Sequence, residues 1–394
     1  MDERYDVIIV GGGPGGLAAA IYAGRSELKT LVIEKGGYGG RIKETAEIKN
    51  YPGTILDSGT NLMLKFKQHA ESYDTISFKR TTVTAVSTDD GGVVVDTKRR
   101  GSFYGKLLIV DTGTEPRTLG IPGEKEFVGK GVSYCATCDA EFFKGQEIHV
   151  LGAGDQAIEE ANYLTRFASK VNIIVLHEEG HLDCNEASAR RAMKNPKINF
   201  IWNATLDKIE GTDHVEKVVI KNVQTNELTE EKSKGVFFFI GMTPKTDIVR
   251  ELVDCDEKGF ILVNEQQETS VPGIYAVGDC TNTFLRQVVT AAADGARAIV
   301  SGERYLTEKE ELDELLKPES GAVAFVFYDP YSSRDIEVAA TFEQQLAPSY
   351  KVYKQDISRQ RLLYRKLAIQ QTVSAALYQS GELDKILTEE ELSV

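Results

Sequence analysis

Twice in this chain a short run of β-branched residues ends in a glycine cluster that opens a helix. That repeated unit narrows the possible folds more than any other feature. Residues 5–10 (YDVIIV) read as a buried strand, followed by Gly11-Gly12-Gly13-Pro14-Gly15-Gly16, a helical pattern over 17–25 and a second strand at 31–34. Residues 147–151 (EIHVL) begin the same sequence of events, with Gly152-Ala153-Gly154-Asp155-Gln156-Ala157, a helix over 157–167 and a strand over 171–176. Both clusters fit G-x-G-x-x-G or its alanine variant, through Gly11, Gly13 and Gly16 and through Gly152, Gly154 and Ala157, with Pro14 inside the first. Glycines at such a turn let the backbone approach a pyrophosphate, and the positive helix N-terminus stabilises it. Glu34 ends the strand after the first helix, where an acid can accept hydrogen bonds from ribose hydroxyls. Two further strands end in polar turns: 107–110 before Thr112-Gly113, and 274–277 before Gly278-Asp279-Cys280, whose aspartate suits a sugar hydroxyl. The expectation is an α/β chain with two Rossmann-like dinucleotide-binding domains, the first discontinuous because strand 274–277 returns to it.

Composition removes other classes. Asp plus Glu number 60 against 46 Lys plus Arg, a net charge of −14, which argues against a nucleic-acid binder. The densest apolar run, 236–240, is far short of the ~20 residues of a membrane span. Met1-Asp2-Glu3-Arg4 leads straight into a strand pattern rather than a signal peptide. Five cysteines, an odd count with only two close together, point to a reducing, cytoplasmic setting. The close pair, Cys135-Ala136-Thr137-Cys138, is followed by Asp139. C-x-x-C spacing can form a disulfide and favours a low-pKa thiol. Asp139 either acts as general acid for a leaving thiol or merely opens a helix. No metal is expected, because Cys184, Cys255 and Cys280 are isolated and His177 and His181 lack finger spacing.

Taken together, these motifs resemble the thioredoxin reductase family of flavoprotein disulfide reductases. The resemblance runs from Tyr5 to about Leu306. It includes Gly11 to Gly16, Glu34, Asn50-Tyr51-Pro52-Gly53, Thr112-Gly113-Thr114-Glu115-Pro116-Arg117, Ile121-Pro122-Gly123-Glu124, the Cys135/Cys138 segment, Gly278-Asp279 and Arg286-Gln287. It implies FAD held by residues 1–118 and 245–306, a pyridine-nucleotide-type domain inserted at 119–244, and a homodimer. It also implies that reduced flavin passes two electrons to a Cys135–Cys138 disulfide, whose dithiol then reduces a thioredoxin-like protein. The inserted domain would rotate between the two transfers. One departure stands beside the flavin, where the family has Gly-Gly-Gln and this chain has Gly39-Gly40-Arg41. Arg41 either lies near the isoalloxazine and raises its potential or points to solvent.

The electron donor is the main question. The family reads NADPH through His-Arg-Arg-x-x-x-Arg after the second unit's second strand. Here that run is His177-Glu178-Glu179-Gly180-His181-Leu182-Asp183, with acids at all three arginine positions. Like charges near 4 Å repel by about 4 kcal/mol at an effective dielectric of 20, so a 2′-phosphate is disfavoured. An acid such as Glu178 suits a free 2′-hydroxyl, and NADH is the expected donor. The alternatives are a ferredoxin-dependent flavin thioredoxin reductase that uses no pyridine nucleotide, and a flavoprotein redox sensor or docking module of low turnover.

Beyond residue 306 the charged stretch 307–320 reads as a short helix and linker, and 321–394 as another α/β unit. Its strands at 323–328 and 351–356, helices at 336–346 and 359–367, and hairpin around Ser380-Gly381 resemble a small thioredoxin-like domain. Ser332 and Asp335 stand at the two redox-cysteine positions and Val373 at the cis-proline position. No cysteine lies in 307–394, so thiol exchange is excluded for this unit. A docking surface, a lid and a decayed carrier all remain open.

Overall fold

The structure is a computed structural model that describes residues 4–45, 48–89 and 91–393. It divides into two compact units, residues 1–298 and 299–394.

The larger unit is built twice on one plan. In chain order the first half comprises β1 (Arg4–Val10), α1 (Pro14–Arg25), β2 (Thr30–Glu34), α2 (Gly59–Glu71), β3 (Ile76–Arg80), β4 (Val83–Asp89), β5 (Gly92–Thr97), β6 (Gly101–Val110) and β7 (Thr114–Pro116). The second half comprises β8 (Val132–Ser133), α3 (Ala136–Asp139), β9 (Glu147–Leu151), α4 (Asp155–Leu164), β10 (Lys170–Ile174), α5 (Glu186–Met193), β11 (Ile198–Ile201), β12 (Ala204–Gly211), β13 (Val215–Asn222), β14 (Leu228–Lys232) and β15 (Val236–Phe238). The chain then returns through β16 (Met242–Pro244), β17 (Ile274–Ala276) and α6 (Val288–Leu315). The first sheet runs β3-β2-β1-β6 in parallel, with β17 added beside β6 and the antiparallel β5 and β4 continuing from it. The second sheet runs β11-β10-β9-β15-β8, all parallel, and its antiparallel meander β12-β13-β14 is separate. Fully buried runs such as Val7–Val10 and Leu107–Val110 explain why these strands read as continuous apolar stretches: parallel strands are covered on both faces.

The chain passes between the halves twice, and the two crossings pair. β7 and β16 form an antiparallel ribbon with Met242 opposite Pro116 and Pro244 opposite Thr114. The expected boundaries at 118/119 and 244/245 flank this ribbon.

The expected short helix within 307–320 is instead the end of α6, whose 28 residues run unbroken to Leu315. Thr307 to Leu315 contains no glycine or proline, and the Lys309–Asp313 pair at 2.9 Å closes one turn of it. Only Leu316 to Gly321 is left as linker.

In the smaller unit α6 is followed by β18 (Ala322–Tyr328), α7 (Ser333–Leu346), β19 (Lys351–Asp356), α8 (Leu362–Lys366), β20 (Ser374–Gln379) and β21 (Glu382–Thr388). The sheet order is β19-β18-β20-β21, with β18 parallel to β19 and antiparallel to β20. Phe325, Phe327 and Phe342 are fully buried, so this segment has a core of its own.

Candidate functional site

Three parallel strands end together. Val10 and Ala276 both lie opposite Val110, so Gly11, Asp111 to Gly113, and Gly278-Asp279 leave the sheet at one carboxyl edge. Open α/β sheets bind their ligands at that edge. Two glycines of the first motif are required by packing alone. A Cβ on Gly11 (φ +114°) would lie 2.0 Å from the Asp111 carbonyl oxygen, and one on Gly16 would lie 2.2 Å from that of Gly11. Pro14 occupies the first turn of α1, where a missing N–H costs nothing. The Gly39 N–H donates to the Gly12 carbonyl at 2.6 Å, which lays the turn carrying Gly40 and Arg41 against the motif. Glu34 accepts from the Gly12 N–H at 2.9 Å and from the Gly36 N–H at 2.7 Å, so it holds the loop as well as standing at the expected ribose position. Gly113 (φ +66°) has open space where its side chain would be, and Asp279 lies deep in the crevice. Burial raises the Asp279 carboxyl while Arg286 and then Arg41 lower it, so Arg41 acts on the crevice rather than on bulk solvent alone. The Arg286 guanidinium sits 4.4 Å from the Phe260 ring centre and reaches the Asp279 and Thr281 carbonyls. This glycine-floored crevice with a deep acid and two cations fits FAD.

One residue here escaped the motif reading. Asp111 is buried beneath the glycine turn and accepts from the Gly16 N–H at 2.7 Å. Burial, with the charges of Asp279 and Glu34 added, pushes its carboxyl up to about 8, against the hydrogen bonds from Gly16 and Gly13. The available signal is an acid immediately after an apolar strand, since β6 ends at Val110.

Cys135 and Cys138 are joined by a disulfide at the start of α3. The Ser133 hydroxyl donates to Asp139 at 2.6 Å and accepts from the Cys135 N–H at 3.1 Å, so Ser133 ties the acid to the turn. Burial raises the Asp139 carboxyl, opposed by the Ser133 hydrogen bond. The redox turn is laid against the first half of the unit. Gln287 donates to the Thr137 hydroxyl at 3.1 Å, Asn50 donates to Gln287 at 3.0 Å, and Lys49 pairs with Glu141 at 2.7 Å. The Thr137 hydroxyl in turn lies 3.5 Å from the Cys135 sulfur. Asn50, Gln287, Cys135, Cys138 and Asp139 thus come together, and Ser133 and Thr137 are additions to them.

At the second glycine turn the residues separate by cause. Gly152 (φ +138°) would place a Cβ 2.5 Å from the Phe239 carbonyl oxygen and 2.9 Å from Ala157, which is itself fully buried. Gly154, the N-cap of α4, has an extended backbone open to any residue and its nearest neighbour would be the Asp183 carbonyl at 3.9 Å. Asp183 lies beside this turn, its N–H donating to the Ala153 carbonyl at 3.0 Å. Glu178 and Glu179 are exposed in the same loop. Although their spacing is unlike that of a zinc finger, His177, His181 and Asp183 converge in this loop, each offering a ligand atom within 4.8 Å of the others.

The profile of the pyridine nucleotide-disulphide oxidoreductase family matches residues 5–295. A thioredoxin reductase from Peptoclostridium litorale is 42% identical over 315 residues, 78% of this chain and 99% of the relative. The chain belongs to the thioredoxin reductase family of pyridine nucleotide-disulphide oxidoreductases. The Bacillus subtilis thioredoxin reductase is 41% identical over 80% of this chain and 98% of its own. Among solved structures, the Streptococcus pyogenes thioredoxin reductase is 39% identical with a TM-score of 0.74, covering 78% of this chain and 99% of that one. The Lactococcus lactis enzyme in its FR conformation is 42% identical over 77% of this chain and 99% of that one, with a TM-score of 0.55. Similar sequences that superpose so differently place their parts differently. As a member of this family the protein is an oxidoreductase acting on disulfides, and the family binds flavin. Among the described residues no helix is long and apolar enough to cross a membrane.

Proposed function

We propose that this protein is an FAD-dependent disulfide reductase that takes electrons from NADH and delivers them through Cys135 and Cys138 to a thioredoxin-like protein in the cytoplasm. The observation that carries the proposal is the docking of the disulfide turn against the half that carries the glycine-floored crevice, through Thr137, Gln287 and Asn50. Gly11, Gly13, Pro14 and Gly16 would receive the pyrophosphate of FAD, Glu34 its ribose, and Thr112, Gly113, Gly278 and Asp279 its flavin half. Bound FAD supplies a two-electron reservoir. In the delivery step one thiolate of the reduced pair attacks a partner disulfide and forms a mixed disulfide. The second thiolate then displaces the partner sulfur, so Cys135–Cys138 is oxidised and the partner leaves as a dithiol, having taken one proton from solvent and one from Asp139. Asp139, kept protonatable by burial, supplies a proton to the leaving thiolate.

Two observations support NADH as donor. Gly154, at the N-cap of α4, has neither strained backbone nor crowded packing, and the space its missing side chain leaves suits close approach of a dinucleotide. Glu178, Glu179 and Asp183 surround the adjoining strand end with negative charge, which repels a 2′-phosphate and suits a free hydroxyl. Assembly as a homodimer, and residues 321–394 as a cysteine-free thioredoxin-like domain, belong to the same proposal. The order β19-β18-β20-β21 with an antiparallel third strand supports the latter. There Ser332 caps α7: its hydroxyl accepts from the Asp335 N–H, so a helix cap stands where a carrier has thiols.

The test is anaerobic mixing of the FAD-loaded protein with NADH, NADPH or reduced ferredoxin while flavin absorbance is followed. Rapid bleaching by NADH alone is expected. Bleaching by NADPH at an equal rate would sink the charge argument, and bleaching by ferredoxin alone would replace NADH with a protein donor.

A further inference from the structure

We propose that His177, His181 and Asp183 form a binding site for one divalent transition-metal ion of the zinc class, at the edge of the second dinucleotide fold. The loop that holds them is tied at three points. The His177 carbonyl accepts from the Asn203 N–H at 2.8 Å, the His181 N–H donates to the Glu178 carbonyl at 3.1 Å, and the Asp183 N–H donates to the Ala153 carbonyl at 3.0 Å. Gly180 (φ +87°) makes the turn between the imidazoles. This closure brings residues separated by spacings unlike a zinc finger's onto one point, so little ordering is left for binding to require.

The donor geometry fits an ion. Nε2 of His177 lies 2.7 Å from one carboxylate oxygen of Asp183, and Nε2 of His181 lies 3.7 Å from the other. A tetrahedral ion with bonds of about 2.0–2.1 Å separates its ligand atoms by about 3.3–3.4 Å, within the 4.8 Å that already spans one ligand atom from each of the three residues. The two rings meet edge to face at 4.9 Å, which lets both nitrogens converge without stacking. Two imidazoles and one carboxylate suit Zn²⁺, Co²⁺ or Ni²⁺ rather than Mg²⁺ or Ca²⁺, which favour all-oxygen sites. Three protein ligands leave a fourth position for water or an exogenous anion. All three side chains are at least a third exposed, so the ion has a path in. Glu178 and Glu179 in the same loop add attraction for a cation.

The site adjoins Gly154 but does not depend on the donor proposed above, because metal binding is read directly. The FAD-loaded protein, kept oxidised so that Cys135–Cys138 offers no thiolates, is titrated with Co²⁺ and followed by its visible d–d absorption and by calorimetry with Zn²⁺. Saturable binding of one ion per chain is expected, at least about tenfold weaker in both His181→Ala and Asp183→Asn. Mg²⁺ at equal concentration should not displace Co²⁺. Absence of saturable binding, or unchanged affinity in both variants, would overturn the proposal. The melting temperature of each metal-free variant, expected within a degree or two of the wild type, separates a lost ligand from a lost fold. If the metal binds but NADH fails to bleach flavin, the metal site stands and the donor reading falls.

Discussion

Asp111→Asn isolates the buried carboxyl beneath the first glycine turn. In the folded protein this group titrates at about 8, raised from 3.8, because it is enclosed and faces the charges of Asp279 and Glu34. In the unfolded chain it ionises at its ordinary value. Between those two values the folded state therefore holds a proton that the unfolded state has released, and stability falls as pH rises at up to about 1.4 kcal/mol per pH unit. The contribution is whole below about 4, is lost progressively, and changes no further above about 8. From pH 5 to pH 7 the wild type gives up about 2.7 kcal/mol from this group. Asparagine keeps an acceptor for the Gly16 N–H, now at 2.7 Å from the carboxylate, and carries no charge at any of these pH values. The difference in stability between variant and wild type should therefore grow in the variant's favour by about 2.7 kcal/mol from pH 5 to 7 and level off above 8. At about 2.1 cal/mol/K per residue, the 298-residue unit shifts by about 1.6 °C per kcal/mol, so the melting temperatures should separate by about 4 °C over that range. Thermal melts of the FAD-loaded proteins from pH 5 to 9 provide the comparison, and only the change in the gap matters. A gap that stays constant with pH would mean that Asp111 does not take up a proton on folding, and the account of its burial would be wrong.

Five other substitutions test separate links. Gly152→Ala forces a Cβ to 2.5 Å from the Phe239 carbonyl at φ +138° and should destabilise by at least about 2–3 kcal/mol in a urea melt, whereas Gly154→Ala should leave the melt unchanged and raise KM for NADH at least several-fold. Equal effects of the two on stability would remove the structural support for a bound dinucleotide. Cys138→Ser should abolish reduction of a disulfide protein while NADH still bleaches the flavin; full turnover would displace the redox centre from this pair. Asp139→Asn should slow turnover by about 10²–10⁴-fold without changing flavin bleaching by NADH, and should remove the fall in rate that the wild type shows as pH rises through the titration of this raised carboxyl, because the proton donor is gone. Ser332→Ala should cost about 1 kcal/mol of stability in the 299–394 unit and leave disulfide reductase activity intact, as expected for a cap rather than a redox group.

What the sequence disclosed, and what it hid, follows from how far apart the cooperating residues lie. The paired glycine motifs, the strands feeding them and the C-x-x-C turn are local patterns, each enforced within about 15 residues by backbone conformation or close packing, and they were legible. The rest involves residues that the folding of the chain brings together without any sequence pattern, whether across the sheet or within a single loop. Asp111 gains its role only because β6 lies beside β1, which puts the end of one strand under the turn that follows the other. Ser133 lies inside the matched segment around Cys135, but a serine two residues before a cysteine has no pattern that gives it a role; its link to Asp139 depends on the curl of the chain into α3. His177 and His181 were set aside on spacing, yet Gly180 and the Asp183–Ala153 hydrogen bond fold the loop until spacing no longer measures distance. The glycines show the same principle in reverse. Gly152 and Gly154 look equivalent in the motif, but only the structure shows that one is demanded by the Phe239 carbonyl and the other by nothing in the protein. A motif residue whose side chain has room, on a backbone that any residue could adopt, is the one that bears on a ligand. By that criterion the evidence for a nucleotide in the second fold rests on Gly154 rather than on the motif as a whole.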